Sequence, residues 1–218
     1  MVSRAVLTDD WRGVVVETQK GPWLAATSDA LAPDPDGLIA RGVDKGGPPR
    51  EYAAIKLVKV TIRWGGKGMA QVVNPVVLRH PEGAPVAVLP LSGVSALDSQ
   101  TESGVTAIPL SSNDVDSHGV PDEGDEFDVL TLLRAEDGSY WPVVRRAFRA
   151  SPSDIDFLGH RGAIALDVDL CASDAGLPVV SRTRGVSGFD GLVQPVSSGV
   201  AVLLPRDLIA ETIASAAT

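Results

Sequence analysis

The sequence contains one cysteine, Cys171, among 218 residues. No internal disulfide can form, which excludes a secreted domain built on disulfides. No second cysteine or suitably spaced histidine accompanies Cys171, so the partners that a zinc site or an activated thiol needs are missing from its neighbourhood. We therefore expect Cys171 to be a buried structural thiol.

Basic residues are also scarce. Nineteen Lys and Arg stand against 28 Asp and Glu, which gives a formal net charge of −9. Nucleic-acid binding depends on clustered Lys and Arg, and the one basic cluster, 145–149, is short and interrupted by apolar residues. Nucleic acid is therefore not predicted as a partner.

Long hydrophobic runs are missing as well. No stretch approaches the ~20 apolar residues that span a bilayer, and residues 1–10 lack the apolar segment of a secretory signal. The composition is 44% hydrophobic and 22% charged, which is typical of a soluble globular protein. We expect a cytoplasmic protein, or one carried within a larger assembly, with no membrane association.

Motifs for metals and cofactors are absent too. The acidic run 122–126 and the acidic pairs near residues 34 and 114 do not match a calcium-binding loop. The glycine-rich segments 46–47 and 65–68 lack the strand, loop and helix of a phosphate-binding site. No metal site and no cofactor are predicted.

What the sequence does contain is a series of short runs rich in Val, Ile, Leu and aromatic residues, bounded by Gly, Pro, Asp and Ser. Their alternation predicts β-strands. The predicted strands are 11–18, 22–27, 52–64, 70–79, 85–91, 105–110, 126–134, 140–149, 163–170, 177–181, 191–195 and 200–204.

The order of these runs predicts the architecture. A polar segment rich in Ser, Asp and Gly separates two sets of strands, and the proline-rich segment 32–49 is expected to be irregular. After the last strand, residues 205–213 open with Pro and an acid and continue at helical spacing. We predict an all-β fold of two six-stranded antiparallel β-barrels packed side by side, with a C-terminal α-helix. The predicted units are an N-terminal barrel (1–92), a connector (93–124) and a C-terminal barrel with the helix (125–218).

One segment carries a family resemblance. Residues 167–180 resemble the nucleophile stretch of the trypsin-like serine peptidases, whose pattern ends in Gly-x-Ser-Gly-x-Pro-Val. Gly176, Pro178 and Val179 match that pattern. Ala175 falls where the nucleophilic serine belongs.

Four other segments resemble the same family in the same order. Residues 80–91 resemble the stretch that carries the triad aspartate, with Pro85 at its place, and residues 23–31 resemble the element that presents the histidine, with Asp29 at its place. Residues 184–188 resemble the strand that pairs with the substrate backbone. The segment 198–209 resembles the last strand and terminal helix of bacterial members.

These matches imply that the peptidase chemistry is lost. Acyl transfer in this family needs a hydroxyl nucleophile, an imidazole base and a carboxylate that orients the imidazole. Ala175 has no nucleophilic atom, Asp29 is a weak base at neutral pH, and the side chain of Pro85 accepts no hydrogen bond. The resemblance therefore implies an inactive relative, or pseudoprotease, with Asp29 and Ala175 facing each other across a groove between the barrels.

A relocated catalytic site is the less favoured alternative. The three histidines, His80, His118 and His160, are expected in exposed or capped loops, and none adjoins a Gly-x-Ser-x-Gly motif. Ser173 corresponds to a glycine that helps form the family's oxyanion hole, so it would point away from a substrate.

Two other functions stay open. The first is a module that binds a peptide or protein without cutting it, through an extended ligand added to a strand edge. The second is a structural subunit of a larger assembly such as a virion or another multi-protein complex. For the first, Phe189 and Trp23 are candidate apolar contacts, with core packing as the alternative. The predicted ligand-binding residues are Ser173, Asp174, Val186, Ser187, Gly188 and Phe189.

Overall fold

The structure is a computed structural model of the chain. It describes residues 5–7, 12–28, 41–42, 50–51, 54–56, 59–63, 69–73, 76–91, 107–110, 124–151, 159–182 and 188–215.

The first half of the chain forms short strands. Their bounds are β1 Ala5–Leu7, β2 Arg12–Thr18, β3 Gly21–Thr27, β4 Arg41–Gly42, β5 Arg50–Glu51, β6 Ala54–Lys56, β7 Lys59–Arg63, β8 Met69–Val73, β9 Val76–Arg79, β10 Val86–Pro90 and β11 Ile108–Pro109. The short pair β4 and β5 forms a separate two-stranded sheet. Because β4 lies inside segment 32–49, the prediction that this whole segment is irregular is wrong.

The remaining first-half strands form one open sheet rather than the predicted closed six-stranded barrel. Its order is β6-β9-β10-β3-β2-β1-β7-β8, and β11 pairs with β2 in parallel. The single predicted strand 52–64 is in fact β6 and β7, which pair with β9 and with β1 and β8 respectively. This break carries the chain from one end of the sheet to the other, a rearrangement that a period-two pattern does not reveal.

The second half forms the predicted closed barrel. Its elements are β12 Glu126–Arg134, β13 Tyr140–Arg149, β14 Ile164–Asp167, a 3-10 turn Ala172–Asp174, β15 Pro178–Ser181, β16 Phe189–Ser197, β17 Val200–Pro205 and the helix α1 Arg206–Ser215. The strands close in the order β12-β13-β14-β17-β16-β15. Between β16 and β17 the hairpin turn is only Ser198 and Gly199, and Gly199 has the positive φ that such tight turns require.

Alternate residues of these strands fill two separate cores. Inside the barrel lies a cluster formed by Phe127, Val129, Ala147, Ile164, Leu166, Val168, Leu170, Leu177, Val179, Val193, Ala201 and Leu203. Another cluster joins the open sheet to the outside of the barrel and to α1, and it contains Val14, Val16, Trp23, Ala25, Ala84, Val86, Val88, Ile108, Ala163, Phe189, Leu192, Val202, Leu204, Leu208, Ile209 and Ile213. Burial on both faces explains why β10 and β17 are nearly continuous apolar runs.

The C-terminal helix matches its prediction closely. Leu208, Ile209, Thr212 and Ile213 are its buried residues, at the spacing of one helical face. Asp207 lies in the first turn, where the helix dipole favours an acid. In the part of the chain that the structure describes, no helix is long and apolar enough to cross a membrane.

Candidate functional site

The loop before β15 folds as a tight 3-10 turn, which is the centre of the candidate site. The N–H of Asp174 donates to the carbonyl of Cys171 (2.8 Å), and the N–H of Ala175 donates to the carbonyl of Ala172 (3.2 Å). Ala175 is 9% exposed and its side chain is a methyl group. The side chain of Ala175, the predicted nucleophile position, therefore presents no reactive atom, and its backbone donor is already used within the turn.

Asp174 anchors this turn to the rest of the molecule. Its side chain is 2% exposed, forms an ion pair with Arg12 of β2, and accepts hydrogen bonds from the N–H (3.0 Å) and the thiol (3.1 Å) of Cys171. Arg12 Nη1 also donates to Thr131 Oγ1 of β12 (3.0 Å). One guanidinium thus holds the open sheet, the barrel and the turn together.

Cys171 departs from its prediction. The residue is exposed, not buried: it is the N-cap of the 3-10 turn, and its thiol donates to the Asp174 carboxylate. The barrel core next to it is filled by other side chains, including Leu170 and Leu177.

Gly176 explains how closely the turn approaches the open sheet. Its φ is +86°, and a Cβ placed there would lie 2.1 Å from the carbonyl oxygen of Arg12 and 3.3 Å from the backbone nitrogen of Thr27. No side chain can occupy that space without moving backbone. The glycine shared with the family pattern therefore lets the turn rest directly on β2 and on the end of β3.

The predicted aspartate position, Pro85, lies at this same end of β3. Thr27 pairs with Val86, and the N–H of Ser28 donates to the carbonyl of Pro85 (3.0 Å). Pro85 is half-buried, and the contact uses its backbone only. Asp29 lies outside the described residues, so its predicted approach to Ala175 stays a prediction.

Neither described histidine takes the place of a catalytic base beside the turn. His80 is buried in the loop that follows β9, where its ring caps the turn, so the capped alternative expected for it is confirmed and the exposed one is wrong. Its Nε2 lies 3.1 Å from Glu211 Oε2 on α1, and its Nδ1 accepts the N–H of Glu82 (3.2 Å). That acceptor role places the proton on Nε2, which therefore donates to Glu211. His160 lies at the start of a turn whose Ala163 N–H donates to the His160 carbonyl (3.0 Å), and His118 is outside the described residues.

The predicted ligand-binding residues fall in two places. Ser173 and Asp174 belong to the 3-10 turn, while Gly188 and Phe189 lie at the start of β16; Val186 and Ser187 are outside the described residues. Phe189 packs into the core between sheet and barrel, as Trp23 does, which is the alternative weighed for both. The ligand role of this set stays a prediction.

The turn that carries Ala175 adjoins a strand edge that the sequence did not reveal. The turn is tied to β16 by the hydrogen bonds of Gly176 N–H to the Val193 carbonyl (2.8 Å) and of Val193 N–H to the Leu177 carbonyl (2.9 Å). β15 begins only at Pro178, opposite Leu192. Beyond residue 194, the last three residues of β16 pair with β17 on one side and with no described strand on the other.

The last three residues of this strand, 195–197, which we call the β16 edge, also carry an exposed apolar side chain. Val196 is 49% exposed and lies at a break in the pairing between β16 and β17. The signal in the sequence was Pro195, because proline within a sheet is found at edges and bulges.

Comparison with known proteins supports the fold. No protein-family model matches the chain, and neither does any curated protein. The chain is similar to the crystal structure of the MamO protease domain from Magnetospirillum magneticum in its apo form, with a TM-score of 0.58, 14% identity, and coverage of 96% of this chain and 95% of that one. It is also similar to a serine endoprotease from Yersinia pestis, with a TM-score of 0.56, 11% identity, and coverage of 98% of this chain and 62% of that one.

These similarities identify the fold as that of the trypsin-like serine peptidases. The closed barrel, the open sheet and the C-terminal helix are consistent with it. Sequence identities this low show a shared architecture only, and the chemistry of the site depends on its own residues.

Proposed function

We propose that this chain is a trypsin-like protein without peptidase chemistry that binds an extended peptide or protein segment. The observation that carries the proposal is Ala175, a residue without a nucleophile placed at the end of the turn that meets both β16 and the open sheet. The ligand would lie along the β16 edge at residues 195–197.

The geometry of the turn supports the loss of chemistry independently of the missing serine. A peptidase of this fold stabilises the oxyanion with the backbone N–H of the nucleophile residue and that of the residue two positions earlier. Here the N–H of Ala175 donates to the Ala172 carbonyl at 3.2 Å. To serve an oxyanion, this bond would have to break while Asp174 stays fixed by Arg12 and Cys171.

The second support is the surroundings of the two other triad positions. Pro85 offers only its carbonyl, which already accepts the Ser28 N–H, and neither Ser28 nor the next residue, Asp29, is an imidazole. The His80 ring is committed to Glu211. Without a base, a hydroxyl at position 175 would keep its proton at neutral pH.

The binding half of the proposal depends on the β16 edge. An unpaired strand edge offers N–H and C=O groups that an extended ligand can pair with, while neighbouring side chains give specificity. Val196 supplies one such apolar contact, and the turn that carries Ala175 is bonded to the same strand at Val193.

The test is selection of peptides from a displayed library of random 12-residue sequences, with Val196→Glu as the counter-selected variant. Val144→Glu is the matched control, because Val144 is 50% exposed on β13, away from the β16 edge. We expect peptides that bind the wild type, bind Val196→Glu at least about tenfold more weakly, and bind the control equally. Mass spectrometry of the bound peptides should find them intact. Peptides whose affinity ignores Val196→Glu, or that are cleaved, would refute the proposal.

A second candidate function is a structural subunit of a larger assembly. The observation that favours it is the group of exposed apolar residues on the β12–β13 hairpin, namely Leu133, Trp141, Val144 and Phe148. Exposed apolar surface of this kind marks contact with another protein. If the chain serves only in assembly, the peptide selection should fail and a partner protein should co-purify stably with the chain. Trp141→Ala and Phe148→Ala should then weaken the binding of that partner.

A further inference from the structure

The β12–β13 hairpin extends beyond the barrel. β12 pairs with β15 only at Phe127–Val129, and β13 pairs with β14 only at Phe148 and Arg149. Over residues 130–147, which we call the ribbon, the two strands pair with each other and with no other described strand. The two edges of the ribbon are therefore not paired with a described strand, while Thr131 and Ala147 at its barrel end are buried.

The tip of the ribbon presents an apolar pair. Leu133 and Trp141 are direct cross-strand partners, and they are 48% and 64% exposed. Cross-strand partners point to the same face of a hairpin, so the two side chains form one surface. Thr131, two residues before Leu133, points to that face as well and is bonded to Arg12.

Trp141 is held in a fixed orientation by its own turn. Its indole Nε1–H donates to Ser139 Oγ (3.1 Å), and the Ser139 hydroxyl donates to Asp137 Oδ1 (2.5 Å). The Ser139 N–H donates to the same carboxylate oxygen (2.9 Å). Since the one polar atom of the indole is already satisfied, what the ring offers to a partner is its apolar faces.

Trp141 is exposed and held in one orientation, which are the properties of a residue that anchors a protein–protein interface. Tryptophan is enriched among the residues that dominate protein–protein binding. A side chain that is already ordered before binding lowers the entropic cost of binding. The network of Asp137, Ser139 and Trp141 meets this condition before any partner arrives.

The charges at the tip select the kind of partner. Glu136 and Asp137 are exposed in the turn beside Trp141, and the hydrogen bonds from Ser139 lower the pKa of Asp137, which keeps it charged. Arg145 lies farther along the same face and donates to the Asp169 carbonyl (3.0 Å), toward the barrel. Arg146 lies at the base of the hairpin, 3.8 Å from Glu126.

We propose that Leu133, Trp141 and the acidic turn form a docking site for a segment of a partner protein that carries Lys or Arg next to an apolar residue. The cation would lie over the indole face, where the ring quadrupole attracts it. Its alkyl stem would pack on Leu133, and Glu136 and Asp137 would face the charge. A second copy of this chain, with its net charge of −9, is a poor occupant of an acidic tip. This site does not depend on the β16 edge.

The experiment is an NMR titration that follows the indole N–H resonance of Trp141, assigned by its loss in Trp141→Phe. The probes are an acetylated peptide of alternating leucine and arginine and a matched peptide with glutamate in place of arginine. We expect the arginine peptide to shift the resonance in the millimolar range or below, and the glutamate peptide to leave it unchanged.

Variants then separate the site from the rest of the ribbon, with the shifts of backbone amides in the tip as the second readout. Trp141→Ala should weaken binding of the arginine peptide at least about tenfold. Glu136→Gln should weaken it less, and Phe148→Ala and Val196→Glu should leave it within about twofold. Circular dichroism and a thermal melt establish that each variant is folded.

Three results would overturn the proposal: no shift with the arginine peptide, equal shifts with both peptides, or equal affinity in Trp141→Ala. Concentration-dependent self-association that Trp141→Ala abolishes would also overturn it, because a second copy would then be the occupant. Loss of arginine-peptide binding in Val196→Glu, with Trp141→Ala unaffected, would also overturn it, because the peptide would then bind at the β16 edge.

Discussion

Arg12 of the open sheet and Asp174 of the barrel form a partly buried ion pair across the boundary between the two halves of the molecule. Asp174 is one residue before Ala175, so this pair fixes the loop that resembles the nucleophile stretch of the trypsin-like peptidases. The same guanidinium reaches Thr131, which places the start of the ribbon beside the turn.

Removing the cation should cost far more than removing a surface arginine. In Arg12→Met the carboxylate of Asp174 stays buried without its charged partner, and we expect a loss of about 3–5 kcal/mol in the free energy of unfolding. Urea denaturation measures it. Arg146→Met is the control, since Arg146 and Glu126 are both largely exposed, and it should cost less than about 1 kcal/mol.

A second variant separates the charge from the packing. Adding Asp174→Asn to Arg12→Met removes the uncompensated charge while an amide oxygen can still accept the Cys171 N–H, so part of the stability should return. Equal losses in Arg12→Met and Arg146→Met would show that the ion pair does not hold the turn.

Gly176 should tolerate no side chain. In Gly176→Ala the new methyl would lie 2.1 Å from the Arg12 carbonyl oxygen, so the turn must move away from β2, and we expect a loss of several kcal/mol. Gly83→Ala is the matched control, because Gly83 has nearly the same φ (+80°) with no atom within 4 Å of the added carbon. It should cost about 1 kcal/mol, from backbone strain alone. Similar thermal shifts in both variants would contradict the close approach.

The hydrogen bonds of the acidic turn should be detectable in a pH titration of Asp137. The Ser139 hydroxyl and then the Ser139 N–H lower the pKa of Asp137 below its usual 3.8. A lowered folded-state pKa means that the contribution of Asp137 to stability is complete above its unfolded value and is lost as pH falls through the folded value. The carboxyl carbon resonance of Asp137 should titrate with a midpoint below 3.8, and Ser139→Ala should raise that midpoint. A midpoint at 3.8 in the wild type would mean that the turn does not hold Trp141 as described.

The barrel half could be read from the sequence because its strands are long, alternate cleanly and are joined by short turns. β12, β13 and α1 have almost the bounds that periodicity predicted. The tight hairpin at Ser198 and Gly199 leaves little freedom in how β16 and β17 pair. Local sequence patterns were therefore sufficient to predict the strands of the barrel.

The open sheet could not be read in the same way. β6 and β7 are adjacent in the sequence yet pair at opposite ends of the sheet, and only tertiary contacts decide that. The prediction that Cys171 is buried was wrong for a related reason. Its low polarity suggests burial, whereas its place before a turn anchored by Asp174 leaves it at the surface.

The segment that resembles the nucleophile stretch contains Ala175, Gly176 and Pro178, which lie at the end of the 3-10 turn and at the start of β15. That these residues form a functional site stays a prediction. The β16 edge at residues 195–197 was missed, because a strand's missing neighbour depends on where another strand begins. Here β15 starts at Pro178, so the edge of β16 is left open beyond residue 194.

The most direct test of the central claim is to supply the missing nucleophile. The wild type and Ala175→Ser are incubated with a fluorophosphonate probe that labels activated serines, and intact-mass spectrometry measures the adduct. The account predicts no adduct on either protein, because neither described histidine is bonded to the turn and the N–H of residue 175 donates to the Ala172 carbonyl. An adduct at position 175 of the variant, or at any serine of the wild type, would contradict it.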